Sequence, residues 1–161
     1  MKKILLIMVA MFAFGWQNVR AQDAIKIVTN HPDFKIKVKR CAASGKTVVL
    51  DLILTNEGVS DVEGLEVVGG GAFGGISEAY DDEGNIYPDV HVKVANNREY
   101  TNLSQGLNIP TGVPMKVSVR LDGVANSAES IARLKLIIVC HAWGIGYEKP
   151  VRISNIPISR N

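Results

Sequence analysis

Apolar residues recur at every second position over most of this sequence, and that alternation limits the possible fold more than any other feature. The stretch FKIKVK places Phe34, Ile36 and Val38 on one face and lysines on the other. The stretches TVVLDLILTN at 47–56 and MKVSVRL at 115–121 alternate in the same way. A period of two is typical of strands with one buried face, so the pattern predicts a sheet protein.

The later segments agree with this interpretation. The stretch 133–143 is apolar on both faces, as a central strand would be, while Pro157 interrupts the final strand and favours an edge or a bulge. Only 126–134 hints at a helix, because Asn126 and Glu129 resemble a capping box. We therefore predict an all-β, antiparallel, immunoglobulin-like β-sandwich of seven to nine strands, with at most one short helix near 126–132. A small closed barrel is the alternative.

The N-terminus has the three parts of a secretory signal. Two lysines precede a run of 13 apolar residues at 4–16, which is too short to span a bilayer, and small residues at Val19 and Ala21 suit signal peptidase. We expect 1–21 to be a cleaved signal peptide and 22–161 to form one domain in the periplasm or outside the cell. No later stretch is long and apolar enough to cross a membrane.

Cleavage changes the balance of charge. The whole chain carries 18 basic and 16 acidic residues, and the signal peptide takes three of the basic ones, which leaves a net charge of about −1. This balance gives no electrostatic reason to expect a nucleic-acid partner.

Cys41 and Cys140 are the only cysteines. In an exported protein an even pair is more often bridged than free, so we predict a Cys41–Cys140 disulfide. Two buried thiols are the alternative, since the sequence does not show whether the two Cα atoms are within bridging distance.

The stretch DDEGNIYPD at 81–89 resembles either a calcium loop or a turn. If Gly84 were position 6 of an EF-hand loop, positions 1 and 12 would be Ala79 and Val90, so two required ligands are missing. A hairpin with Gly84 in a left-handed conformation explains the residues better.

Other motifs give weak signals for chemistry. The glycines in VVGGGAFGG match G-x-G-x-x-G, but no helix follows to face a pyrophosphate, so a bent strand or a loop is favoured. His31, His91 and His141 lack metal-ligand spacing, and no nucleophile motif is present. We expect no catalytic residue, no bound metal and no cofactor, although sequence alone does not exclude a hydrolase that uses dispersed carboxylates.

Two exposed features could bind a partner. Lys35, Lys37 and Lys39, with Arg40 beside them, could dock a phospholipid or an acidic glycan, but protection of an edge strand is the favoured interpretation. A second surface could form at one loop end. Its candidate residues are Phe73 in the glycine-rich loop, Trp143 and Tyr147.

Five segments together resemble a group of small secreted bacterial β-sandwich domains, immunoglobulin-like in fold and of unknown function. They are VKRCAASGKTVVLDLILTNEG, AYDDEGNIY, IPTGVPMKVSVRLDGV, IARLKLII and RISNIPI. The resemblance covers most of 34–158 and implies no catalytic residue and no cofactor. The sequence departs from that of antibody domains in one respect, because Trp143 follows the second cysteine instead of lying between the two.

We therefore predict a non-enzymatic binding or structural accessory domain of the bacterial cell envelope. Its expected partner is an envelope protein or a glycan, and it is expected to be a monomer or a weak oligomer. A carbohydrate-active protein, either a binding module or a hydrolase, and a calcium-dependent adhesion module are the alternatives.

Overall fold

A computed structural model describes residues 24–29, 31–70, 77–104, 106–140 and 148–160. These residues form twelve strands: β1 Lys26–Thr29, β2 Phe34–Ser44, β3 Thr47–Asn56, β4 Val62–Val68, β5 Glu78–Asp81, β6 Ile86–Tyr87, β7 Val90–Val94, β8 Leu107–Ile109, β9 Pro114–Leu121, β10 Ser130–Cys140, β11 Glu148–Pro157 and β12 Ser159–Arg160. The predicted signal peptide, 1–21, lies outside the described residues.

The strands form two sheets. Sheet A has the order β1-β11-β10-β4-β8, and the β5–β6 hairpin pairs with the first half of β10, next to the half that pairs with β4. Sheet B has the order β12-β2-β3-β9-β7. All strand pairs are antiparallel except β12 with β2.

The hydrophobic core lies between the inner faces of the two sheets. Most of the alternating residues predicted to point inward are buried, and Ile36, Val38 and Met115 are half-buried against them. They meet apolar residues of sheet A in one cluster that includes Leu50, Leu52, Leu54, Val67, Val117, Val119, Leu121, Leu134, Leu136, Ile138 and Ile153. Burial of these side chains is the main favourable term for the fold. The predicted all-β, antiparallel sandwich is confirmed.

The strand number is higher than the predicted seven to nine because several strands have only two to four residues. Strands this short carry too few alternating positions to be recognised from sequence. The immunoglobulin-like affiliation rests on the sequence resemblance and remains a prediction.

The segment near 126–132 is a turn followed by the start of β10, and the described residues contain no helix. The carboxylate of Asp82 accepts hydrogen bonds from the backbone N–H groups of Glu129 and Ser130 at 3.1 and 3.2 Å. These amide groups are therefore satisfied by the neighbouring hairpin without helical bonding. No helix in the described ranges is long and apolar enough to cross a membrane.

Pro157 is the last residue of β11 and is opposite Ser130, the first residue of β10. On its other side, β1 pairs with β11 only over Val151–Ser154, so among the described residues Pro157 has a strand neighbour on one side only. At a strand end the missing N–H interrupts little of the hydrogen-bond ladder, which explains why the proline is tolerated there.

The predicted disulfide between Cys41 and Cys140 is wrong, because both cysteines are free and buried. Cys41 lies in sheet B near the turn at Gly45, and Arg160 joins that turn to Ala128, just before β10 begins. Cys140 is at the opposite end of β10, roughly 30 Å along the strand at about 3.3 Å per residue. A disulfide needs Cα atoms within about 7 Å, so the two cysteines are too far apart to be bridged.

Candidate functional site

The stretch 81–89 is a hairpin, as predicted, and Asp81 organises it. Gly84 has a φ of 86°, in the left-handed region. One carboxylate oxygen of Asp81 accepts the N–H groups of Glu83 and Asn85 at 3.0 and 2.8 Å. The other accepts the Asn85 amide at 2.8 Å and the Tyr87 hydroxyl at 2.7 Å. Both oxygens are therefore used inside the turn.

The hydrogen bonds also determine the charge state of Asp81. Burial opposes ionisation of this carboxyl, but the bonds from Asn85, Tyr87 and Glu83 outweigh that effect and lower its pKa. A general acid at neutral pH needs a raised pKa, so Asp81 is suited to a structural role and not to proton donation.

The predicted lysine row lies on β2, with Phe34, Ile36 and Val38 facing the core. On the outer side of β2, the described part of the chain supplies only β12, which pairs with Ala42 and Ala43. As far as the described strands go, most of β2 is thus an open edge, which is the position that the edge-protection interpretation requires.

The row is part of a larger cationic surface that the sequence did not indicate. The strand order brings β9 and β7 onto the same sheet as β2. Because their apolar residues face the core, the intervening cationic residues point outward with the lysine row. We call this surface the cationic face, formed by Lys35, Lys37, Lys39, Arg40, Lys93, Lys116 and Arg120.

Asp51 lies at the centre of the cationic face and is only 7% exposed. Arg40 from β2 and Lys116 from β9 contact its carboxylate at 3.2 and 3.4 Å, and the Ser118 hydroxyl donates to it at 2.6 Å. Burial opposes ionisation of Asp51, but the Ser118 bond and the charges of Lys116 and Arg40 prevail and lower its pKa. One ionised carboxylate therefore holds cations from two strands in position.

Tyr100 contacts two cations at the other end of the cationic face. The Lys93 ammonium lies 4.5 Å from the centre of the Tyr100 ring, and the Arg120 guanidinium lies 5.0 Å from it. Two cations within 6 Å of one ring are stabilised by its quadrupole. Arg120 also pairs with Asp122 at 3.1 Å.

Several predicted features fall elsewhere. Phe73, Trp143 and Tyr147, the candidates for a second binding surface, lie outside the described residues. Of the glycine-rich segment, Gly69 and Gly70 are described, and both are buried.

The two buried glycines pack closely against β7. A Cβ on Gly70 would lie 1.9 Å from the Pro88 carbonyl oxygen, and the Gly70 N–H donates to the Val90 carbonyl at 2.7 Å. Here, glycine is required by close backbone packing.

Each of the two described histidines contacts another side chain. The His31 ring lies 5.3 Å from that of Phe34, and His91 Nδ1 lies 2.8 Å from the side-chain oxygen of Asn102.

Sequence reasoning missed Asp51. The available signal was a carboxylate flanked by leucines in TVVLDLILTN, at an outward position of a strand that is otherwise apolar or weakly polar. A buried charge needs partners, but the cations of Arg40 and Lys116 become its neighbours only when β2, β3 and β9 pair.

No protein-family model matches the sequence, and no curated protein matches it. Among solved structures, the fold is similar to part of a family 123 glycoside hydrolase from Clostridium perfringens, with a TM-score of 0.40 and 12% sequence identity. The match covers 85% of this chain and 27% of the other, so this chain spans about a quarter of the length of that hydrolase. So distant a likeness carries no argument about function.

Proposed function

We propose that the protein is an exported, non-enzymatic binding or accessory domain of the bacterial cell envelope, and that the cationic face attaches it to an anionic component of that envelope. The observation that carries this proposal is the position of Lys116 and Arg120. They lie on β9, an interior strand between β3 and β7, where no sheet edge needs protection. Edge protection accounts for lysines on β2 but not for these.

The distribution of charge supports the same conclusion. The chain as a whole is close to neutral, yet seven cationic side chains share the outer face of sheet B. The carboxylates associated with them are the buried Asp51 and two at the ends of strands, Glu57 and Asp122. A surface with a local excess of one sign attracts partners of the opposite sign, whatever the net charge of the molecule.

The exposure of the cations also favours binding. The side chains of Lys35, Arg40 and Lys116 remain 68, 62 and 55% exposed although each contacts a carboxylate. Their remaining N–H groups can therefore reach a second anion. The Lys35–Glu57 pair is exposed on both sides and contributes little to stability, so a purely structural role is a weak explanation for that lysine.

The carboxylates that are buried in the described part of the chain support a non-enzymatic role. Asp51 and Asp81 are both engaged by hydrogen-bond donors of the protein, and both have a lowered pKa. A glycosidase that uses a carboxyl pair needs one of the two to remain protonated as the general acid. Neither residue has the surroundings for that role.

The test is a charge-reversal experiment on the mature protein, 22–161. A triple variant, Lys37→Glu, Lys93→Glu and Lys116→Glu, should lose binding to washed envelope fractions in a sedimentation assay. Binding of the wild type should weaken as salt is raised, because screening shortens the range of charge interactions to about 8 Å at physiological ionic strength.

The matched control reverses three outward cations of sheet A, with the changes Arg133→Glu, Lys135→Glu and Arg152→Glu. The change in net charge is identical, so a general electrostatic effect would reduce binding equally in both variants. Equal loss in the two triples, or binding of the wild type that salt does not affect, would refute the proposal.

A further inference from the structure

We infer, on the basis of the proposed function, that the ligand of the cationic face is a single extended acidic polysaccharide chain that crosses the strands of sheet B. The inference rests on how the cations are arranged along and across the strands, and on what surrounds them.

The strand register places the cations in adjacent rows perpendicular to the strands. In one row Lys37, Ile53 and Lys116 are neighbours on β2, β3 and β9. In the next row Arg40, Asp51 and Ser118 lead to Lys93 on β7. With strands about 4.8 Å apart, the second row spans roughly 14 Å. The result is a band of positive charge across the sheet.

Acidic residues limit the band at both ends of the strands. Glu57 follows β3 and pairs with Lys35 at 2.9 Å. Asp61 lies at the same end, where it accepts the Thr111 N–H at 2.8 Å. At the other end, Asp122 follows β9. A planar anionic bilayer laid on this face would meet these carboxylates, whereas a narrow chain along the band avoids them.

Within the described ranges, the face also lacks an apolar anchor. The large apolar side chains that are exposed in the described segments are Ile25, Val28, Val59, Ile86 and Val113, and none of them belongs to the outward positions of sheet B. Proteins that lie on a bilayer combine basic residues with apolar groups that enter the interface. Within the first row, the half-buried side chain of Ile53 lies between Lys37 and Lys116, and it offers a short apolar floor for the C–H face of a sugar ring.

A nucleic acid would also present a line of anions, but the aromatic residue at this face is unsuited to it. Single-strand binding surfaces stack bases on free aromatic rings between basic residues. The Tyr100 ring is already in contact with Lys93 and Arg120. A carboxylated glycan requires only the cations and the apolar floor.

The experiment measures binding of mature protein to defined probes at low and physiological salt. The probes are fluorescent oligogalacturonate, a neutral dextran oligomer of similar length, phosphatidylglycerol–phosphatidylcholine vesicles and single-stranded DNA. We expect oligogalacturonate to bind and dextran not to bind. The sheet B triple variant should weaken oligogalacturonate binding at least tenfold and the sheet A triple less than twofold. A milder triple variant, Lys37→Gln, Lys93→Gln and Lys116→Gln, should also weaken oligogalacturonate binding more than the sheet A triple does. This result would show that the loss does not come from misfolding of the Glu variant.

The outcomes separate the two proposals. Vesicles or DNA binding as tightly as oligogalacturonate would overturn the polysaccharide assignment. If no probe binds but envelope fractions still bind through the cationic face, the ligand class is wrong and the proposed function stands. If the envelope fractions also fail to bind, both proposals are wrong.

Discussion

Replacing Asp81 with alanine should destabilise the whole sandwich, although Asp81 belongs to a surface hairpin. The carboxylate accepts four hydrogen bonds. Two of its donors, the Glu83 N–H and the Asn85 side chain, belong to exposed residues, so they can donate to water after the substitution. The Tyr87 hydroxyl cannot do so, because Tyr87 is buried in the core cluster.

The cost can be estimated from these contacts. Loss of one buried hydrogen bond to a charged acceptor costs about 2 kcal/mol, and loss of a side chain that caps backbone N–H groups costs about 1 kcal/mol. The sum is about 3 kcal/mol. At about 4 °C per kcal/mol for a domain of this size, the melting temperature of Asp81→Ala should fall by about 12 °C.

Urea unfolding followed by circular dichroism measures this loss, and Glu83→Ala is the matched control. Glu83 is an exposed acidic residue in the same turn, and its replacement should change stability by less than about 0.5 kcal/mol. A double-mutant cycle with Tyr87→Phe should give a coupling of about 1 to 2 kcal/mol, since the two side chains share a bond of 2.7 Å. Equal unfolding midpoints for Asp81→Ala and Glu83→Ala, or zero coupling, would show that the network contributes no stability.

Three further predictions concern acid, packing and thiols. Asp51 and Asp81 have lowered native pKa values, so the stability they supply is complete above the unfolded value of about 4 and is lost as pH falls through the native values. Urea midpoints measured from pH 6 to pH 2 should therefore fall less steeply for Asp81→Asn than for wild type. Gly70→Ala should cost at least about 3 kcal/mol in melting experiments, because its Cβ meets a carbonyl oxygen, whereas Gly45→Ala, with φ 57° and open space, should cost about 1 kcal/mol. Both cysteines should resist a thiol reagent in the native protein and react in denaturant without prior reduction, since both are buried and burial raises the pKa of the Cys41 thiol to about 12. A single disulfide found by mass spectrometry would contradict this assignment.

The strands and their buried faces were predictable where alternation is long. β2, β3 and β9 each have eight or more residues, and their apolar positions were assigned correctly to the core. The hairpin at 81–89 was also predictable, because glycine in the left-handed region and an Asx-type turn are properties of a few adjacent residues. Predictions of this kind depend on chemistry within one strand or one turn.

The candidate site and the cysteines were not predictable in the same way. The lysine row of β2 was visible in the sequence, but its continuation to Lys116 and Lys93 depends on β9 and β7 pairing in sheet B. The cysteines could not be placed because their separation depends on the path of β10 across the sandwich. The number of cysteines alone favoured a bridge that the distance between strand ends forbids.

By itself, therefore, the sequence determined that this chain forms strands, which side of each long strand is buried, and where a tight hairpin lies. Only the tertiary structure decided which strands are neighbours, and with that the cationic face, the buried position of Asp51 and the separation of the two thiols. The physical reason is that side-chain alternation follows from the two-residue period of an extended backbone, which is a local property. Strand order instead depends on contacts between residues far apart in the chain, which form only when the complete core is buried.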